Sequence, residues 1–331
     1  MSDPTEPVQT LGLGDRLAAA DGHRIWWCDG GDPRGLPVLV VHGGPGGSSR
    51  VEPTRWFEGL PVRWICFDQR GCGRSTPLGS TRAQTLSGLL NDMERLRRQL
   101  GVDAWALAGG SWGARLALRY AAGFPGRTRG LMLRSPFLGT LAETRRYIAP
   151  WNSWLGDTGR RWLGDAAAAA LQALYQEPAV MSPDDTVMTA PDPLADPRVA
   201  QAWSAYDDVQ SAPGGVAGDT GRRCDPTRLA PAQEAQQASW AVHRHHARRG
   251  WGEADGHPRG GTLPHDAGPV TLVWGDADAT CDPAVARTLA AGCPAADARE
   301  VAGAGHRMGD ARLAPVLAAA ARDWVSRLRV G

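Results

Sequence analysis

The chain has 331 residues and a formal net charge of +1, with acids and bases interspersed, so neither nucleic acid nor an anionic membrane is an evident partner. Its basic residues are all arginine, and the absence of lysine excludes Schiff-base chemistry, a pyridoxal-phosphate lysine and a Walker-type phosphate loop. No apolar run reaches the roughly 18 residues that would span a bilayer, and the polar start of the chain lacks the apolar core of a signal peptide.

Cys28, Cys66, Cys72, Cys224, Cys281 and Cys293 form no C-x-x-C pair, which points to free thiols and a cytoplasmic protein. Residues 1–13 read as a flexible lead-in. Arg24-Ile25-Trp26-Trp27-Cys28 predicts an early strand, closed by the turn Asp29-Gly30-Gly31-Asp32-Pro33. Residues 37–41 are a short continuous apolar run, as expected of a strand covered on both faces. The run ends in His42-Gly43-Gly44-Pro45-Gly46-Gly47, where so many glycines let the backbone present its own N–H groups to a developing negative charge. A second buried strand at 62–67 runs into the loop Asp68-Gln69-Arg70-Gly71-Cys72-Gly73-Arg74-Ser75. Leu86, Leu89, Leu90, Met93, Leu96 and Leu100 recur at helical spacing, with Gly101 as the stop.

A strand at 104–108, the turn Gly109-Gly110-Ser111-Trp112-Gly113 and a helix over 114–122 follow, and then a strand at Leu131-Met132-Leu133. Strands alternating with helices predict an α/β fold with a mostly parallel sheet. Over 137–267 the pattern changes. Trp151, Trp154, Trp162, Trp203, Trp240 and Trp251 are dense, Ala166 to Ala170 looks helical, and prolines and aspartates at 178–197 mark loops. This stretch is expected to be a helical cap inserted into one core domain formed by 1–136 and 268–331. The sheet resumes at 269–274, before Gly275-Asp276-Ala277-Asp278; a helix near 283–291, a strand at 299–301, Gly303-Ala304-Gly305-His306 and a helix over 311–328 close the chain. Each glycine-rich loop follows a strand, and open α/β sheets bind ligands at the carboxyl ends of their strands.

The turn at 109–113 has the form G-x-S-x-G between strand and helix, which holds a serine in strained geometry with its hydroxyl exposed. Ser111 is therefore the candidate nucleophile. Such a serine needs a base, a group to orient the base and donors for the oxyanion, in the chain order Ser, acid, His. His306 and Asp278 fit that order, with Asp276 as the rival acid. The backbone N–H groups of Gly44 and Trp112 are the candidate oxyanion donors. His42 is a second candidate base, but its place at the loop entrance suits it better to bracing the glycine-rich turn. His243, His245, His246 and Cys224 suggest a metal site, yet no partner stands at a familiar spacing, and none is assigned. Cys72 and Cys281 read as small apolar filler near the site loops.

Together, His42 to Gly47, Asp68 to Ser75 and Gly109 to Gly113 resemble the prolyl aminopeptidase (proline iminopeptidase) family of α/β-hydrolases. Asp92-Met93-Glu94-Arg95-Leu96-Arg97, Trp274-Gly275 with Asp278 and Cys281, and Gly305-His306 match its pattern too. The resemblance implies an α/β-hydrolase fold with a helical cap, and a Ser-Asp-His hydrolase that uses no cofactor. It also implies action on the N-terminal residue of an amide-bonded small molecule or short peptide carrying an amine. That family grips the amine through cap glutamates. Here Asp207 stands in the place of the first, with Asp208 beside it to share the work, and His243 in the place of the second, so one anionic anchor is missing. Gly43 is placed against the substrate on the same resemblance. The tryptophan-rich cap suggests a larger or flatter acyl or leaving group, including natural-product intermediates. An esterase or lactonase, a lyase or cyclase, or a binding protein built on a dead hydrolase are the alternatives; dehalogenase and epoxide hydrolase chemistry would need an aspartate in place of Ser111.

Overall fold

Short apolar runs bounded by glycine pair side by side in one eight-stranded sheet. Its strands are β1 (Asp15–Ala18), β2 (Arg24–Gly31), β3 (Leu36–Val41), β4 (Val62–Phe67), β5 (Trp105–Ser111), β6 (Thr128–Pro136), β7 (Val270–Gly275) and β8 (Asp297–Val301). Their spatial order is β1-β2-β4-β3-β5-β6-β7-β8. The first two pairings, β1 with β2 and β2 with β4, are antiparallel; all later ones are parallel. The computed structural model describes residues 11, 14–19, 21–176, 192–218, 231–255 and 261–330. Most of the expected lead-in, most of the loop expected over 178–197, and Cys224 lie outside the described residues.

Side chains alternate across a strand, and the central parallel strands β3, β5, β6 and β7 are apolar on both sides, so each feeds two cores. On one face lie Leu39 and Val41 of β3, Leu107 of β5, Leu131 and Leu133 of β6 and Leu272 of β7. Val38 and Val40, Ala106 and Ala108, Met132 and Val273 take the other. Helices α1 (Leu86–Gln99), α2 (Trp112–Gly123) and α9 (Pro283–Ala291) cover the first face. Helix α10 (Leu313–Val330) and a 3-10 turn at Glu52–Phe57 cover the second through Leu313, Leu317, Trp324, Trp56 and Phe57. Helix α1 begins at Thr85, whose side chain accepts from Gly88 N–H at 3.0 Å, and stops before Gly101, which has φ +65°.

Between β6 and β7 the described residues form helices and no strand: α3 (Leu141–Ile148), α4 (Trp151–Leu163), α5 (Asp165–Gln176), α6 (Pro197–Gln210), α7 (Gly215–Gly218) and α8 (Glu234–Arg248). Among the described residues no helix is long and apolar enough to cross a membrane.

Two expectations needed correction. Strand β1 was not foreseen. The turn expected at Asp29-Gly30-Gly31 is strand, paired with Ile65, Trp64 and Arg63 of β4. A Cβ on Gly30 would lie 2.3 Å from the Trp64 ring, so glycine here makes room for an indole and does not reverse the chain.

The loop after β4 is fastened from several sides. Arg70 makes a two-pronged contact with Asp92 of α1, both bonds 2.8 Å, and also pairs with Asp21 at 2.6 Å. Asp68 accepts from Ser49 N–H at 2.6 Å and from the Arg74 guanidinium at 2.7 Å. Both members of the Arg70–Asp92 pair are at most 5% exposed, and removing one partner of such a pair strands the other. Arg70→Leu is expected to lower stability by about 3–5 kcal/mol, read by urea denaturation at neutral pH.

Candidate active site

Four loops at the carboxyl ends of β3, β5, β7 and β8 meet over the sheet. The sharpest is the strand-to-helix turn. Ser111 ends β5 and precedes α2 with φ +56° and ψ −124°, a conformation that L-residues avoid. Two glycines permit it. A Cβ on Gly109 would lie 2.5 Å from the Gly113 carbonyl oxygen, and one on Gly113 would lie 2.2 Å from the Val41 carbonyl oxygen. Ser111 is left half-buried at the positive end of the α2 dipole, and the Trp112 N–H opens that helix.

Asp278 and His306 meet as the sequence order required. His306 Nδ1 lies 2.8 Å from Asp278 Oδ2, and the other carboxylate oxygen accepts from the N–H groups of Thr280 at 2.9 Å and Cys281 at 2.8 Å. Asp278 is 1% exposed. Burial pushes its carboxyl up, but the facing His306 and bonds from Cys281 and Ser135 outweigh it and hold it below the usual range. Asp276 is exposed and accepts from Gly303 N–H at 2.6 Å, a brace for the loop after β8.

Ser111 and His306 face one cavity of about 560 Å³. In this structure the Ser111 hydroxyl contacts Cys281 Sγ, at 3.5 Å, and not the His306 ring. Cys281 is thus more than filler: its N–H serves Asp278 and its thiol serves Ser111. Burial, reinforced by the Asp278 charge, pushes the thiol well above its ordinary range, so it stays neutral. Burial likewise pushes Cys72 up to about 12.

His42 braces the turn after β3. Gln69 N–H donates to His42 Nε2 at 3.0 Å, which leaves the proton on Nδ1, 2.8 Å from the Gly43 carbonyl. Gln69 also donates to the His42 carbonyl at 2.8 Å and accepts from the Trp112 indole at 3.0 Å, tying the glycine-rich loop to α2. Sequence reasoning missed this hub. Burial keeps His42 neutral. Gly43 and Gly44 line the cavity beside Ser111.

The cavity's far wall comes from α3, α5, α6 and α8. Asp207 lines it and accepts from Tyr147 O–H at 2.9 Å. Burial raises its carboxyl, partly offset by Tyr147 and by His306. Tyr147, Tyr175, Trp203, Trp251 and Phe137 line the same cavity. The helix bearing Asp207 also holds the His306 loop, since the Ser211 carbonyl accepts from His306 N–H at 3.0 Å and Arg307 N–H at 3.1 Å. Asp208 does not line the cavity. It points to the surface, where its carboxylate pairs with Arg307 at 2.7 Å.

His243 lines the same wall, its Nε2 2.6 Å from the Tyr175 hydroxyl and its ring stacked on Trp240, and burial pushes it down to about 3. It brings no charge to the wall. His245 bonds the Gln84 carbonyl at 3.0 Å and His246 packs on Trp112, so the three histidines diverge. No group of three metal-ligating side chains converges among the described residues. The tryptophans divide as well. Trp203 and Trp251 line the cavity, whereas Trp151 and Trp154 pack around Tyr206 and Trp240 donates to the Leu194 carbonyl at 2.7 Å. Much of the tryptophan density builds the helical core and says nothing about a large acyl group.

Comparison with known proteins fits this geometry. A probable proline iminopeptidase of Streptomyces coelicolor is 33% identical over 212 residues, covering 61% of this chain and 63% of that protein. The proline iminopeptidase of Neisseria gonorrhoeae is 39% identical over 143 residues, 43% of this chain and 44% of that protein. The chain thus spans about half the length of the curated relatives it matches. The crystal structure of a proline iminopeptidase-related protein from Thermus thermophilus superposes with a TM-score of 0.59 at 22% identity, over 95% of this chain and 98% of that one, a likeness of fold. The sequence profile of the alpha/beta hydrolase fold family matches residues 37–309, and with most of its length inside that match, the chain belongs to this family.

Proposed function

We propose that this protein is a serine hydrolase that cleaves the amide bond of an N-terminal aminoacyl group through an acyl-enzyme on Ser111. The observation that carries the reading is the shared cavity, which Ser111, the Asp278-bound His306 and, as the one carboxylate among the described lining residues, Asp207 line together with aromatic rings. The relatives named proline iminopeptidase support the same reading.

With Nδ1 engaged by Asp278, Nε2 of His306 is the nitrogen available to take a proton. Rotation of the Ser111 side chain exchanges its Cys281 contact for that nitrogen. The hydroxyl oxygen attacks the scissile carbonyl as its proton passes to His306. The N–H groups of Gly44 and Trp112 receive the oxyanion. Collapse expels the leaving amine with the proton from His306, and a water molecule, deprotonated by the same ring, releases the acid and restores Ser111.

The substrate's ammonium is held by Asp207 and faced by the indoles of Trp203 and Trp251, a setting that favours cations. Neutral His243 adds no second anionic anchor, so the wall suits a singly charged aminoacyl group on a short peptide or small molecule. The helices between β6 and β7 act in this reading as the cap that selects it. A cytoplasmic location is in keeping with the free state of the five described cysteines.

Ser111→Ala should abolish covalent labelling by a fluorophosphonate probe, and labelling that persists in the variant removes the proposed nucleophile. Asp207→Asn should lower kcat/KM for aminoacyl-β-naphthylamides at least about 30-fold, chiefly through KM, and leave p-nitrophenyl esters without an amine nearly unchanged. An equal loss on both substrates would contradict amine binding at Asp207. Because burial raises the Asp207 carboxyl, its charge is lost at a higher pH than that of an exposed aspartate. The KM for amine substrates should accordingly begin to climb in weak acid in the wild type, a trend that Asp207→Asn should erase.

A further inference from the structure

Arg134 is a buried cation that the proposed mechanism leaves without a task. It lies on β6 in register with Gly110 of β5, next to Ser111, and is 5% exposed. A Cβ on Gly110 would be 2.7 Å from Arg134 Nε and 2.8 Å from Nη2, so the guanidinium lies across the strand where a side chain would otherwise stand. This explains the second glycine of the turn. Arg134 Nη1 donates to the His306 carbonyl at 2.6 Å, while its Nε has no hydrogen-bond partner. No ion pair joins it to a carboxylate among the described residues, yet it lines the cavity. A buried guanidinium so sparsely satisfied is costly, and the site charge nearest in effect is Asp278.

We propose that Arg134 is a positioning residue for the reaction: its guanidinium tethers the His306 loop and supplies the fixed positive charge that balances Asp278 while His306 gains and returns a proton. The inference rests on the Ser111-His306-Asp278 reading. The groups facing His306 are Asp278 and Cys281 from the loop after β7, Asp207 from α6, Ser111 from the turn after β5, and Arg134 from β6. On the outer side stand the Arg307–Asp208 pair and Asp310, which accepts from Gly305 N–H at 3.1 Å. Of these, Arg134 is the inner cation. A fixed cation here favours ionised Asp278 and opposes a second positive charge close by, so it offsets the pull that the carboxylate exerts toward a protonated ring.

The test is the pH dependence of fluorophosphonate labelling at Ser111, which needs no knowledge of the substrate. Arg134→Gln, which keeps an N–H donor but loses the charge, should move the acid limb to higher pH by about one unit. Arg134→Lys, which keeps both, should leave the limb in place. Arg134→Met, which loses both, should shift the limb and also lower the plateau rate about tenfold. Should Arg134→Met fail to fold by circular dichroism, the Gln variant carries the test. Acid limbs that coincide in folded wild-type and neutral variants, with plateaus within about twofold, would overturn the role of Arg134 while leaving the triad reading intact. Wild-type protein not labelled at Ser111 would overturn both.

Discussion

The geometry of the site depends on how closely the backbone of β3 approaches the first turn of α2. Gly113 presses on the Val41 carbonyl at a distance that no side chain allows, and Gly109 meets the returning chain in the same way. That contact forces the reversal at Ser111 into positive φ and lifts the hydroxyl above the sheet. It also sets the glycine-rich loop after β3 beside the start of α2, so Gly43 and Gly44 border the same space as the serine. A residue strained at this level costs roughly 1–3 kcal/mol, which only a rigid surround sustains. The surround is present in Gln69, which joins His42 to Trp112, and in the loop after β4, which Arg70 and Asp68 pin to α1 and to Ser49.

Burial sorts the ionisable groups of the cavity by the company each keeps. Asp278 stays charged because N–H donors and His306 face it. Asp207, with one hydroxyl donor, is raised. His42, His243 and His246 have no anion bonded to the ring and stay neutral. The cavity therefore has His306, backed by ionised Asp278, and the Asp207 carboxylate on its lining, with Tyr147, Tyr175, Trp203 and Trp251 beside them. His306 and Asp207 are not independent, since the Ser211 carbonyl at the end of α6 holds the N–H groups of His306 and Arg307.

Much of this was legible beforehand where a local pattern has a local cause. Apolar runs of about six residues became strands, leucines at helical spacing became α1, and a serine flanked by glycines became the tight turn. Patterns with more than one cause misled. Gly30 looked like a turn and proved to be a seat for the Trp64 ring, and the tryptophans of 137–267 looked like a pocket but divide between the pocket and the helical core. Asp208 follows Asp207 by one residue, which on a helix turns it about 100° away and out to Arg307.

By itself the sequence determined the class of fold, the position of the elbow and the order of serine, acid and histidine, because each depends on neighbours in the chain. Tertiary structure alone decided that Asp278 and not Asp276 meets His306, that Cys281 contacts the Ser111 hydroxyl, and that Arg134 lies across Gly110 and bonds the His306 carbonyl. Those outcomes depend on which strands become neighbours and in what register. Hydrogen-bond geometry and burial, set by parts of the chain far apart in sequence, then choose among side chains that composition and spacing leave equivalent.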